Sequence, residues 1–297
     1  MKRIHILILI ILVLLISTSC DNRPYFRGDF KVVAENLDFP EGLAINNEQI
    51  VFSNCYGAWI ASVENGKCDT LLNKEDGLVN TNGTSFDSDN NLYICEYGKG
   101  QILKYSSDGQ LKVLSSKDQY GKAFNRPNDI SIGPSGFIYF TDPKSYDNNI
   151  FDGRIFRLDP KNADLLCLLD GLQFPNGLCF SPDGKTLYIG ESVNKNILAL
   201  NQEIGILDTL ITLPGGKQDP DGMDVDKNGN LYIAYFGGGK IFVVSPDGQL
   251  LDSLKTPGSR PSNLEFGGKN MKTLFISECE TNKIYSIKTK IAGHAKK

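Results

Sequence analysis

Histidine is almost missing from this chain. Two of its 297 residues are histidine, His5 and His294, one near each end. A Ser-His-Asp triad, a Cys-His pair or a histidine-ligated zinc site therefore cannot be assembled within the body of the chain. Catalysis there would use carboxylates, amides, hydroxyls or a metal held by oxygen. Tryptophan is reduced to Trp59, and with no repeated Trp-Asp dipeptide the common scaffold repeat built on that dipeptide is disfavoured. The formal net charge is −4, with charged residues dispersed, so no basic footprint for nucleic acid exists. No helical period of useful length follows residue 22.

What is abundant is turn chemistry at regular intervals. Six polar triplets each precede a short apolar strand: Pro40-Glu41-Gly42, Thr81-Asn82-Gly83, Pro127-Asn128-Asp129, Pro175-Asn176-Gly177, Pro220-Asp221-Gly222 and Pro261-Ser262-Asn263. Their middle residues are spaced 41, 46, 48, 45 and 41 positions apart. A period in the forties with strand content marks a propeller blade. Turn clusters such as Ser88-Asp89-Asn90-Asn91, Ser181-Pro182-Asp183-Gly184 and Asp226–Gly229, and a second set including Ser107-Asp108-Gly109 and Ser245–Gly248, supply two tight hairpins per repeat. Four antiparallel strands per repeat follow. The fold expected is all-β, a six-bladed propeller. The last repeat holds only three strands, ending in Lys283–Ile287, while Phe30–Ala34 stands before the first triplet where a fourth strand would stand elsewhere. That N-terminal strand is expected to close the last blade, because an open ring would leave a bare sheet edge. The propeller is placed at residues 28–290, with a C-terminal tail at 291–297.

Equivalent positions of a propeller lie on a ring around its axis, so the repeat gathers Glu41, Asn82, Asn128, Asn176, Asp221 and Ser262 into one cluster. Capping of strand starts accounts for Ser262 and for Asn82. It accounts less well for Glu41 and Asp221, because two carboxylates facing a narrow channel repel each other. A divalent cation removes that cost, and carboxylates with amide carbonyls are the donors that Ca²⁺ or Mg²⁺ prefers. The ends of the second strands, Asn54, Glu96, Asp142, Glu191 and Glu278, are expected to form an acidic outer ring about that ion. The extended loop Lys144–Asp152 is read as a lid or as a solvated insertion.

The N-terminus follows other rules. Lys2 and Arg3 precede the apolar run Ile6–Ile16, too short to span a bilayer and suited to a secretory signal. Ser17-Thr18-Ser19 before Cys20 resembles a bacterial lipoprotein cleavage site. The expectation is a signal peptide at 1–19, lipidation of Cys20 and a tether at 20–27. The product would be an exported, membrane-anchored lipoprotein on the periplasmic or cell-surface side, touching membrane through its lipid alone. An ordinary signal peptide with an incidental cysteine is the alternative. The remaining cysteines, Cys55, Cys68, Cys95, Cys167, Cys179 and Cys279, form no CxxC. They read mainly as small buried hydrophobes, although Cys55 and Cys279 occupy equivalent positions in neighbouring blades.

Taken in order and in phase with the blades, the motifs resemble the senescence marker protein/gluconolactonase/luciferin-regenerating enzyme family. Phe39-Pro40-Glu41-Gly42 is similar to that family's metal glutamate segment, and Arg126-Pro127-Asn128-Asp129 followed by Tyr139–Pro143 to its substrate segment. Phe174–Leu178 is similar to the metal asparagine segment and Pro220–Met223 to the aspartate that serves as ligand and base. Pro261-Ser262-Asn263 with Phe266-Gly267-Gly268 matches its last blade. The resemblance implies hydrolysis of a sugar lactone or related ester by a monomer. One divalent cation, Ca²⁺ first with Mg²⁺, Mn²⁺ or Zn²⁺ as alternatives, would be held by Glu41, Asn176 and Asp221. Asp221 would also act on the water, Asn128 would hold substrate or complete the coordination, and Arg126 would pair with substrate oxygens. Two other readings stay open: a non-enzymatic propeller that binds a ligand or a protein, and an aryl-ester or organophosphate hydrolase with the same ring.

Overall fold

The repeated triplets sit where a propeller requires them. The structure, a computed structural model, describes residues 23–295 apart from 47, 48 and 217. The expected signal peptide and Cys20 lie outside the described residues. Six four-stranded sheets contain all the named strands. In the first, strands Pro40–Asn46, Gln49–Asn54, Trp59–Glu64 and Lys67–Leu72 run antiparallel from the axis outward. The inner strands of the next five blades are Thr81–Phe86, Ile130–Ile132, Pro175–Phe180, Asp219–Val225 and Pro261–Gly267. They touch one another in cyclic order, the sixth against the first.

Turn chemistry sets the hairpins. The Asp87 carboxylate accepts the backbone N–H groups of Asp89 and Asn91 at 2.9 and 2.8 Å, closing the first hairpin of blade 2 as a side-chain-stabilised turn. Gly184 and Gly229 occupy the left-handed region in the matching turns of blades 4 and 5.

Alternating strands leave each sheet apolar on both faces, and each face is covered by the neighbouring blade. One apolar cluster therefore occupies every blade–blade interface instead of a single central core. Tyr232 and Ile241 of blade 5 pack on Leu264 and Phe266 of blade 6, and Phe52 of blade 1 packs with Ile284 of blade 6.

The ring closes as the repeat count demands. Strand Phe26–Ala34 pairs antiparallel with Lys283–Thr289, from Phe26 opposite Thr289 to Ala34 opposite Ile284. Its pairing begins at the face opposite the triplets. Phe26 is fully buried and meets the Tyr232 ring edge-on at 5.7 Å. The chain after the last strand lies along that same face. Lys227 donates to the Ala292 carbonyl, and the backbone N–H of His294 donates to Val225 at 2.9 Å. Cavities of about 260 and about 540 Å³ open there, lined by hairpin turns together with His294 and Ala295. All six cysteines in the described residues are free thiols, four of them buried.

Closure makes a stability prediction. Phe26→Ala removes a fully buried ring at the seam and should cost about 3–5 kcal/mol. A chain starting at Tyr25 should unfold cooperatively like the longer one, whereas a chain starting at Leu37 should aggregate or lose its cooperative transition. Equal melting curves for the two truncations would refute closure by this strand.

Candidate functional site

Six inner strands meet at one end of the axis, and the spacing is tight enough that none of the four triplet glycines, Gly42, Gly83, Gly177 and Gly222, has room for a Cβ. A Cβ on Gly42 would overlap the Asn82 carbonyl, and a Cβ on Gly177 would overlap that of Asp221. Side-chain bonds tie the ring from blade to blade. Ser53 Oγ donates to the Asn82 carbonyl at 2.5 Å, and Ser192 Oγ to that of Pro220 at 2.9 Å. Ser262 Oγ donates to the carbonyl of Pro40 at 2.8 Å, linking the sixth blade to the first. Ser262 is thus a tie between blades.

The structure brings Glu41, Asn128, Asn176 and Asp221 together as buried residues at this end. The Asn176 amide hydrogen-bonds the Asp221 carboxylate. The backbone of Asn128 is held on both sides, its N–H donating to Thr141 at 2.9 Å and its carbonyl accepting from Gly83 at 2.7 Å. A third carboxylate was missed from sequence. Asp129 is buried and accepts the backbone N–H of Leu178 at 3.1 Å, joining blade 3 to blade 4. The available signal was its place in the triplet, where four other repeats carry glycine.

Burial pushes Glu41 up to about 8, and the negative charge of Asp129 adds to the rise. Burial raises Asp221 well above the usual carboxylate range, with Glu41, Asp219 and Asp129 contributing in that order. Among the described residues no lysine or arginine is one of the main influences on either group. Buried, mutually repelling carboxylates beside an amide form a hard oxygen donor set of the kind that Ca²⁺ or Mg²⁺ takes. No three His, Cys, Asp or Glu side chains among the described residues make a metal cage by themselves. Neutral amides, Asn176 and Asn128, would have to complete any coordination.

The remaining expectations divide. Arg126 is exposed at the rim, with Nη1 donating to Tyr97 Oη at 3.2 Å and its guanidinium 5.5 Å from the Tyr97 ring centroid. The loop 144–152 reaches across blade 4 towards the axis. Tyr146 stacks edge-on with Phe174 and donates to Asp219 Oδ2 at 2.7 Å, and Gln173 Nε2 donates to the Asn148 carbonyl. It is therefore a strap over the mouth of the site rather than a free insertion. Asp219 stands two residues before Asp221, and burial raises it to about 6.

The acidic outer ring requires correction. Asn54, Glu96, Asp142, Glu191 and Glu278 do not face the axis. Each accepts backbone N–H groups from the segment leading into its own triplet: Asp38, Val79 with Asn80, Asn125 with Arg126, Gln173, and Arg260. They are clamps on the loop, and the reason is the orphaned amides of an irregular entry segment.

Comparison with known proteins gives this geometry a context. The family model described as "SMP-30/Gluconolactonase/LRE-like region" matches residues 39–280. The chain belongs to this family. A gluconolactonase from Zymomonas mobilis subsp. mobilis is 33% identical over 234 residues, covering 72% of this chain and 64% of that protein. A 6-deoxy-6-sulfogluconolactonase from Pseudomonas putida is 30% identical over 188 residues, covering 61% of this chain and 64% of that protein. The chain thus spans somewhat less than two thirds of either relative. Among solved structures, a gluconolactonase from Xanthomonas campestris superposes with a TM-score of 0.77 at 28% identity, covering 91% of this chain and 96% of the other. Regucalcin from Agrobacterium tumefaciens, described as a calcium-binding protein, shares the fold with a TM-score of 0.77 at 18% identity, covering 92% and 96%.

The raised carboxylates of this family member set a pH dependence. In chelated protein Glu41 holds its proton in the folded state to about pH 8 but in the unfolded chain only to about pH 4.5. The folded state binds the excess proton, so its contribution to stability falls as pH rises from about 4.5 to 8. Added Ca²⁺ should restore stability more at pH 8 than at pH 6 and should release protons on binding at pH 7. Thermal melts and calorimetry in two buffers measure both. Affinity equal at the two pH values, with no proton released, would contradict it.

Proposed function

We propose that this chain is a metal-dependent hydrolase that opens a sugar lactone or related cyclic ester at the triplet end of the propeller axis. The observation that carries the reading is the buried pair Glu41 and Asp221, facing the same axis with an asparagine amide bonded to one of them. That pair, within a family that includes gluconolactonases, supports lactone hydrolysis over the aryl-ester alternative.

Glu41, Asn176 and Asp221 would hold one divalent cation, with Ca²⁺ the first choice for an all-oxygen set. A cation held there supplies Lewis-acid polarisation of the substrate carbonyl. Asp221 orients the attacking water and takes its proton. Asn128, fixed by its backbone bonds, orients the carbonyl, and Arg126 at the rim pairs with substrate hydroxyl or carboxyl oxygens. The Tyr146 strap limits how large a substrate enters.

The decisive experiment is a panel of aldonolactones and aryl esters assayed with chelator and with added Ca²⁺, Mg²⁺, Mn²⁺ or Zn²⁺. Lactone turnover should vanish with chelator and return with cation. Asp221→Asn should lower kcat by about 10²–10⁴-fold while the fold survives, and Glu41→Gln should weaken cation binding first. Full turnover and full cation affinity in Asp221→Asn would reject this mechanism. Cation binding without turnover on any panel member would favour a binding propeller.

The anchoring reading rests on sequence and takes its geometry from the closure strand. Phe26 enters at the face opposite the triplets, so a lipid on Cys20 leaves the mouth of the site pointing away from the membrane. Cys20→Ser should move the protein from the membrane to the soluble fraction, as fractionation reads. Wild-type protein recovered soluble and unlipidated would end this reading.

A further inference from the structure

Among the described residues, four of the five entry clamps are satisfied by neutral groups alone. Glu191 takes amides from Asn194 and Asn196 besides the backbone, and Glu278 takes Thr281. The clamp of blade 3 differs. Asp142 Oδ2 also receives the guanidinium of Arg154, through Nε at 3.2 Å and Nη2 at 2.7 Å. Arg154 is itself buried, lies 4.8 Å from the Phe156 ring centroid, and reaches onward through Nη1 to Asp118 Oδ2 at 2.8 Å. Its Nη2 also donates to the Ala123 carbonyl at 3.3 Å.

A buried charge cluster is costly unless every charge is paired, and here it ties together parts of the chain that other blades leave unlinked. Asp118 belongs to the long connection between blades 2 and 3, and Asp142 ends the second strand of blade 3. Between them Asn125 and Arg126 hang by their N–H groups from the two Asp142 oxygens, at 3.1 and 2.8 Å. Asn125 Nδ2 also meets the Asp152 carbonyl at the base of the strap, at 3.4 Å. The segment so held leads directly into Arg126 and Asn128.

The geometry points to Arg154 as a positioning residue for substrate binding: with Asp142 and Asp118 it fixes the path of residues 124–128, and so the placement of Arg126 and Asn128. This rests on the lactonase reading for its substrate, while the positioning itself is independent of it. A guanidinium suits the role because its planar fork serves two carboxylates and a carbonyl at once, which an ammonium cannot do.

The test pairs kinetics with amide exchange. Arg154→Lys keeps the charge and loses the fork. It should raise KM for the best lactone about tenfold, with a smaller change in kcat, and leave the Ca²⁺ dissociation constant within about twofold of the wild type. Exchange at Asn125 and Arg126 should quicken at least about tenfold, with strand Ile130–Ile132 unaffected. Asp118→Asn, at the outer end of the network and milder for folding, should shift both readouts the same way by less. Glu278→Gln, which loosens a clamp without an arginine, should lower the melting temperature without raising KM. Unchanged KM with unchanged exchange at Asn125 and Arg126 in both blade 3 variants overturns the proposal, as does an equal rise in KM for Glu278→Gln. Should the wild type turn over no lactone, the lactonase reading fails alone, and the exchange measurement still decides whether Arg154 holds this segment.

Discussion

The six inner strands approach the axis so closely that a methyl group does not fit between some neighbours, and nearly every feature of the site descends from that crowding. Where Gly42 and Gly177 remove the Cβ, one blade's backbone can lie against the next. The triplet side chains then have nowhere to go but the axis, and the hydroxyls of Ser53, Ser192 and Ser262 lock that arrangement by bonding to carbonyls of the adjoining blade. Two carboxylates are thereby held in a small buried space with an amide. Their protons are bound more tightly than in water because solvent cannot reach them. A protein that spends folding energy in this way has prepared a place for positive charge.

Crowding also explains the division of labour among polar residues at this end. Side chains of the triplets converge on the axis, whereas the residue ending each second strand turns back to the segment entering its own blade. In blade 5 that position carries Tyr235 and Phe236 instead of a carboxylate, and the Tyr235 hydroxyl holds the Pro214 carbonyl at 2.7 Å. Blade 5 is also where the strap from blade 3 lands, through Tyr146 on Asp219. Blade 5, whose clamp position carries an aromatic hydroxyl, is thus the blade that the strap also ties.

Much of this could be read from residue order, because turns and close packing constrain residue types strongly. Pro and Gly flanking Glu41, Asn176 and Asp221 encode the shape of the strand start, and their spacing encodes the blade. The direction of Asp142 and its counterparts was not legible in the same way. A carboxylate at a strand end satisfies the same pattern whether it faces an ion or an amide, and only the path of the preceding loop decides. Arg154 and Asp118 were invisible for a related reason: they lie 36 positions apart, and Asp118 stands in a long connection with no repeat equivalent, so residue order does not pair it with Arg154 in the third strand of blade 3. Asp129 departs from the glycine usual at the third place of a triplet, but nothing in residue order says that its carboxylate takes the Leu178 N–H of the next blade.

The seam formed by Phe26 and Thr289 joins residues 263 positions apart. During synthesis the first strand emerges 263 residues before Thr289, the partner of its first residue. Throughout that interval the first strand and the neighbouring face of blade 1 have no native cover. Such long-range pairings form slowly, and an uncovered strand edge recruits other chains. A premature stop that spared every triplet would still strand the first strand without its mate. Until strand Lys283–Thr289 arrives, the first strand carries an unpaired edge that nothing else in the unfinished chain covers.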